Sequence, residues 1–179
     1  MKKFVLLIAV FFCAQALLGQ SQINASFKQH KLIKASGKNV EAAGKIVYKS
    51  PDNLQMNYTQ PAGDFFIIEG NTVRMNMNGK KSTVDVTKNM TMKAQKNTLL
   101  NCIKGNYRQV AADNNADCVE KETGGAKTVT ITARKAATRG YSKIVLSYRT
   151  SDNMVTEMTL EEFNGNVTQY SISNITVKK

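Results

Sequence analysis

Few side chains in this sequence are equipped for covalent or acid–base chemistry. They are His30, the adjacent carboxylates Glu161 and Glu162, and the cysteines Cys13, Cys102 and Cys118. A hydrolytic triad needs a histidine beside a nucleophile and a carboxylate. The single histidine lies in the run Phe27-Lys28-Gln29-His30-Lys31, where a solvated side chain is the plainer reading. No G-x-S-x-G turn presents a serine. Neighbouring residues of a strand point to opposite faces, so Glu161 and Glu162 do not converge on one substrate. Zinc takes several His and Cys ligands at short spacing, and that pattern is lacking. No phosphate-cradling glycine motif follows a strand. The expectation is a protein that is not an enzyme, with no catalytic residue, no metal and no cofactor.

A soft apolar surface is the more promising feature. Of the eight methionines, all but Met1 lie beyond residue 19, and tryptophan is absent. Met56, Met75, Met77 and Met158 fall on strand faces that read as inward. A thioether is flexible and polarizable and packs against ligands of varied shape. It also fills ordinary cores, so composition leaves both roles open. A strongly curved sheet of many strands is harder to fill with its own side chains, which favours a cavity.

Strands must carry that surface. Leu54, Met56 and Tyr58 alternate with Gln55, Asn57 and Thr59. Val73, Met75 and Met77 alternate with Arg74, Asn76 and Asn78. Val129, Ile131 and Ala133, then Ile144, Leu146 and Tyr148, then Met154, Met158 and Leu160 continue the pattern. A period of two with one apolar face means half-buried antiparallel strands. Pro51 and Pro61 end strands, because proline cannot donate to a central ladder. Gly70-Asn71, Asn78-Gly79, Asp152-Asn153 and Asn164-Gly165-Asn166 read as turns. Ten or eleven strands result. Phe65-Phe66-Ile67-Ile68 is apolar on both faces and predicts a strand covered on both sides. The last strand, near Val167 to Val177, slips its apolar phase at Ile175, which suits a bulge or an exposed edge. Only Ala94 to about Val110 reads as helical, with Leu99, Leu100 and Ile103 in one stripe, Asn97 or Thr98 as cap and Gly105 weakening its end.

Residues 1–19 read as a secretory signal: Lys2 and Lys3, an apolar run from Phe4 to Leu18, then a small residue at Gly19. Phe11 and Phe12 stand where a lipobox around Cys13 needs small residues, so lipidation is not expected. Residues 20–179 suit one domain able to bury a core unaided. Two cysteines in an exported chain invite a Cys102–Cys118 disulfide, but spacing alone leaves two buried thiols equally open. The formal charge is +12, or +10 without Lys2 and Lys3. It is dispersed, which fits transient contact with anionic membrane surfaces. Nucleic acid is not an expected partner of an exported protein.

The ordered series Gly44, Ile46, Tyr48, Pro51, Leu54, Tyr58, Pro61, then Glu69, Gly70 and Val73, resembles the LolA-type periplasmic lipoprotein carriers. The resemblance extends to Phe27-Lys28-Gln29, to Ser142–Tyr148 and to Met158–Tyr170. It implies a mainly β fold, a half-open antiparallel β-barrel with a helical lid over an apolar cavity. It implies that acyl chains of a lipoprotein or related lipid are received from an inner-membrane donor complex and passed to an outer-membrane acceptor, by a monomer in the periplasm. A module on the same fold that senses lipid or binds a protein without transport is the alternative. The expected lining is Tyr48, Leu54, Met56, Tyr58, Phe65 and Ile67 from the first strands. Val73, Met75, Met77, Leu146, Met158 and Leu160 continue it. Leu99, Leu100 and Ile103 belong to the lid. Three departures stand out. Only about seven residues precede the Phe27-Lys28-Gln29 strand, where the family carries a helix. Ser50, with Lys49 beside it, replaces the arginine that often precedes the first proline. Met56 replaces a common aromatic.

Overall fold

The computed structural model describes residues 22–135 and 140–178. The expected signal at 1–19 and Cys13 lie outside the described residues. Eleven strands form one antiparallel sheet. The first meander is β1 (Gln22–Ile33), β2 (Lys38–Lys49), β3 (Asn53–Gln60), β4 (Ala62–Glu69), β5 (Thr72–Met77) and β6 (Lys80–Asp85). The second is β7 (Ala116–Thr123), β8 (Ala126–Ala133), β9 (Tyr141–Arg149), β10 (Met154–Glu162) and β11 (Val167–Lys178). Between them lie a short 3-10 turn at Val86–Lys88, α1 (Met90–Ile103) and α2 (Tyr107–Asp113). The sheet order is β6-β5-β4-β3-β2-β1-β11-β10-β9-β8-β7. The two meanders therefore join through β1 and β11 in the middle, and β6 and β7 are free edges. The helical segment runs from one edge to the other.

Turn chemistry sets much of the register. Asn78 and Gly79 have φ of 53° and 77°, the double left-handed pair that an Asn-Gly hairpin requires. Gly124 and Gly125 do the same between β7 and β8, at 58° and 77°. Pro51 sits in the β2–β3 turn and Pro61 in the β3–β4 turn. The phase slip near Ile175 is a bulge: Asn24 pairs Thr176 while Ser26 pairs Ser173, and Asn174 takes φ 52°. β11 is central in the sheet, so the exposed-edge alternative does not hold.

Directly opposed residues share a face, and the pairings trace continuous inner layers. One runs Ile23, Tyr48, Leu54, Ile68, Val73. Another runs Tyr170, Met158, Leu146, Val129. Leu54, Ile68, Val73, Leu146 and Val129 are fully buried and share one cluster with Leu100, Cys102, Ile103 and Val110 of the helices. The helices thus cover the inner face.

Two expectations need correction. Phe65 pairs Asn57 and Asn76, and Ile67 pairs Gln55 and Arg74, so both are on the outer face. They are half-buried there, while Phe66 and Ile68 turn inward. A run apolar at every position carries no parity signal, which is why the faces were misassigned. The helix is also two helices, and it starts earlier. Asn89 caps α1, its Oδ1 accepting from the Met92 amide at 3.0 Å. Gly105, at φ 77°, ends it with the positive φ that glycine tolerates.

Gly44 shows how tightly the inner layers pack. A Cβ there would collide with the Asn57 carbonyl oxygen and lie 2.8 Å from Phe27 Cε1. Gly44→Ala should destabilise the fold by about 1–3 kcal/mol through overpacking, read as a lower urea midpoint at unchanged slope. An unchanged midpoint would mean that Phe27 and β3 yield without cost.

Candidate functional site

The cover is fastened to the sheet by a few polar contacts. Tyr148 Oη, buried in the core, donates to the Cys102 carbonyl at 2.9 Å and holds the end of α1. Lys96 Nζ donates to the Gly70 carbonyl at 2.7 Å and ties mid-helix to the β4–β5 turn. Lys104 Nζ reaches the Pro51 carbonyl at 3.4 Å, and Tyr48 Oη donates to the same oxygen at 2.9 Å. α2 is fixed through Glu120 of β7, which accepts from Tyr107 Oη at 2.8 Å and from Arg108 Nη2 at 2.9 Å. Lys127 Nζ lies 4.9 Å from the Tyr107 ring centre and 5.4 Å from that of Tyr148. An ammonium over aromatic faces adds attraction beyond packing.

The inner face beneath this cover divides into a filled end and a hollow end. At the filled end Tyr48, Leu54, Val73, Leu146, Met158, Leu100 and Ile103 are buried among one another. At the other end a cavity of about 230 Å³ opens between β3, β4, β10, β11 and α1. Met56, Tyr58, Met77 and Leu160, four of the residues expected in the lining, line it together with Leu99, expected in the lid. Met75 is half-buried and inward, packed against the core beside Phe66. The remaining walls were not foreseen: Phe66, Tyr141, Tyr170, Thr98, Gln95 and Thr168, with Lys31 and Glu162. Tyr170 could have been found from its pairing with Met158, but the β1–β11 junction that brings it near Tyr58 joins the ends of the chain. A second hollow of about 270 Å³ adjoins the cavity and shares Gln95, Thr98 and Tyr141 with it.

A larger hollow of about 400 Å³ lies on the outer face around Lys28, His30, Glu41 and Gln169. Among the described residues no helix covers it, whereas the inner cavity lies under α1 with Met56, Phe66, Met77, Leu99 and Leu160 in its wall, so the inner cavity is the better candidate despite its size and its own polar rim. His30 and Glu41 stand opposite one another there. Glu161 pairs Lys143 across the sheet, whereas Glu162 is held at the inner rim by Asn164 Nδ2 at 2.9 Å and Asn166 Nδ2 at 3.3 Å. The two carboxylates do not converge.

Burial sets the ionisation of the site. It pushes the phenols of Tyr58 and Tyr141 up to about 12, with smaller contributions from Asp64 and Glu162 respectively. Tyr170 is raised further by the same desolvation. All three are neutral hydroxyls at ordinary pH. Both cysteines are free thiols. Cys102 is fully buried and its thiol is pushed up to about 12 by desolvation. Cys118, half-buried on β7, is raised mainly by burial and then by Glu120.

Two outcomes follow from these environments. A thiol reacts as the thiolate, so a disulfide reagent at mildly alkaline pH should modify Cys118 first and Cys102 only after unfolding; labelled peptides read by mass spectrometry decide it. The tyrosines make the fold sensitive to alkali. Their folded pKa, about 12, exceeds the value of about 10 expected when unfolded. Their contribution to stability is therefore full below pH about 10 and lost as pH rises through about 12. Urea midpoints should fall across that window, and Tyr58→Phe with Tyr141→Phe should flatten the fall.

Comparison with known proteins places this geometry. The family model described as "Outer membrane lipoprotein carrier protein LolA" matches residues 19–179. No curated protein matches the chain. Among solved structures it is similar to a LolA superfamily protein from Nitrosomonas europaea, at 8% identity over 89% of this chain and 87% of that one, with a TM-score of 0.39. It is similar to the lipoprotein LppX of Mycobacterium tuberculosis, at 10% identity over 88% and 87%, with a TM-score of 0.41. It is also similar to a DUF1329 family protein from Desulfovibrio piger, at 10% identity over 87% and 85%, with a TM-score of 0.44. The family's description is that of a carrier, a binding role rather than a catalytic one. With the family model spanning nearly all of it, the chain belongs to the LolA family of outer membrane lipoprotein carriers.

Proposed function

We propose that this protein is a periplasmic carrier that shelters acyl chains of lipoproteins, or of a related lipid, between the sheet and α1 and moves them from the inner to the outer membrane. The observation that carries the reading is the cavity of Met56, Phe66, Met77, Leu99 and Leu160 under a helical cover that spans the gap between two free sheet edges. Moving acyl chains through water is costly, because each exposed methylene forfeits about 0.8 kcal/mol. An adaptable apolar lining offsets that cost without binding so tightly that release fails.

The resting cavity of about 230 Å³ is smaller than the roughly 300–1,000 Å³ of ordinary ligand pockets. Loading a multiply acylated cargo therefore needs α1 to move outward and open the filled end. The polar fastenings of the cover fit that demand. Lys96 holds the middle of α1 by one bond to a neutral carbonyl. A single such bond from a charged donor contributes about 1.5–3 kcal/mol net. Acyl burial outweighs it after about two to four methylenes.

The test compares a triacylated lipopeptide with the same peptide lacking acyl chains. The acylated form alone should bind, as a soluble complex seen by native mass spectrometry. Leu99→Asp, which puts a carboxylate on the cavity wall, should weaken it at least about tenfold, because an unpaired charge is costly to bury. The protein should also release lipoprotein from inner-membrane spheroplasts into the soluble fraction. Equal binding of both peptides, or of neither, would overturn the carrier reading. Binding without release would favour a lipid-sensing module.

A further inference from the structure

The hollow end of the inner face carries polar groups that an acyl chain by itself does not need. Tyr58 comes from β3, Tyr141 from β9 and Tyr170 from β11, and all three line the same 230 Å³ cavity. Their rings are held in place. Phe27 stands edge-on to Tyr58 at 5.1 Å between ring centres, and to Tyr170 at 6.1 Å. Tyr141 begins β9 opposite Glu162.

Their hydroxyls differ. Tyr58 Oη donates to Gln29 Oε1 at 3.2 Å, so its proton is committed. The hydroxyls of Tyr141 and Tyr170 have no hydrogen-bond partner among the described residues, and both side chains line the cavity. Burial raises both pKa values, so each keeps its proton and acts as a donor. A half-buried donor with no protein partner is left to water, and a ligand that displaces that water keeps the bond only if it brings an acceptor. Charge at the rim is balanced. Lys31 brings one positive charge and Glu162 one negative, and Glu162 is already engaged by Asn164 and Asn166. The field at the mouth selects for neither sign strongly.

Neutral donors beside an apolar slot match one chemical feature, a carbonyl oxygen at the head of an alkyl chain. We propose that the Tyr141 and Tyr170 hydroxyls form a carbonyl-recognition site that distinguishes acyl from alkyl lipids, donating to the ester or amide oxygen where a single acyl chain joins its head. The chain then runs along Met56, Phe66, Met77 and Leu99, and the head emerges between Lys31 and Glu162. The small resting volume holds only the first part of one chain, so this is the site the head of the first acyl chain meets before the cover opens. The inference rests on the reading that the cavity takes acyl chains, and adds how the linkage is read.

Three ligands of equal chain length separate the possibilities: 1-monopalmitoylglycerol with an ester carbonyl, palmitamide with an amide carbonyl, and 1-O-hexadecylglycerol with an ether and no carbonyl. Affinities come from displacement of an apolar fluorescent probe. One or both carbonyl ligands should bind the wild-type protein about three- to tenfold more tightly than the ether, the range expected for one or two net hydrogen bonds. Tyr141→Phe with Tyr170→Phe keeps both rings, and should bring all three ligands to the affinity of the ether, with the probe's own affinity measured for each variant. Each single variant guards against a folding defect in the double one, and should lose part of the preference. Equal binding of ester, amide and ether to the wild-type protein overturns the proposal, as does a preference that survives in the double variant. If the triacylated lipopeptide still binds in that case, the carrier reading stands and only the carbonyl site falls. If neither lipopeptide nor probe binds, both fall.

Discussion

Eleven antiparallel strands leave two unpaired edges, and the chain has to travel from one to the other. After β6 the backbone is at one rim of the sheet, and β7 begins at the opposite rim. The segment between them must cross the inner face. It crosses as helix because α1 and α2 satisfy their own backbone groups, which a loop lying over apolar side chains does not. The cover is thus a consequence of topology, and needs little intrinsic stability of its own. Its polar attachments are few: the Tyr148 hydroxyl and Lys104 at the end of α1, Lys96 in its middle, and the Glu120 cluster at α2.

The same layout explains why, among the described residues, the larger inner hollow lies at one end, while the apolar hollow beside Ile23, Ile46 and Ile103 measures about 20 Å³. Tyr148 sits where β9 passes beneath α1, and its hydroxyl reaches the helix carbonyl directly, so the large ring fills the space between. Tyr48 on β2 fills space at the same end, its hydroxyl on the Pro51 carbonyl of the β2–β3 turn. Toward the other end the inward residues are Met56, Met77, Leu160 and Thr168, and Leu99 and Thr98 face them from the helix. No residue there spans the gap as Tyr148 does. Where a phenol bridges sheet to helix the space is closed; where the phenols stop short of the helix backbone, it stays open.

Much of the sheet was legible because each rule that shaped it acts over a few residues. Asn78-Gly79 can only be comfortable with both φ values positive, and Pro51 and Pro61 have no amide to give a ladder. Alternation placed Met56, Met77 and Leu160 on the inner face. It failed at Phe65 and Ile67, because Phe65-Phe66-Ile67-Ile68 is equally apolar on both faces and its pairing with Gln55, Asn57, Arg74 and Asn76 is a property of the neighbours. The start of α1 was missed because its first turn, Met90-Thr91-Met92, shows no stripe, and Met90 is 71% exposed. Asn89 alone signals that start. The site was legible only in its greasy half. Tyr58, Tyr141 and Tyr170 lie far apart in sequence, and only the pairing of β1 with β11 closes the distance.

Lys96 shows how such a cover can be held without being locked. It is 6% exposed, yet its one polar partner is the Gly70 carbonyl, with no carboxylate within salt-bridge reach among the described residues. A buried ammonium opposite a carboxylate would resist opening strongly, because separation would strand two charges. An ammonium on a lone carbonyl strands nothing comparable. When α1 lifts, the lysine recovers its hydration, and the carbonyl of a surface turn recovers water as well. The bond therefore fixes where α1 rests while adding little to the work of moving it. Arg108 and Glu120 at α2 form the only ion pair between the helices and the strands among the described residues that is closer than 3 Å, so α2 is the firmer end.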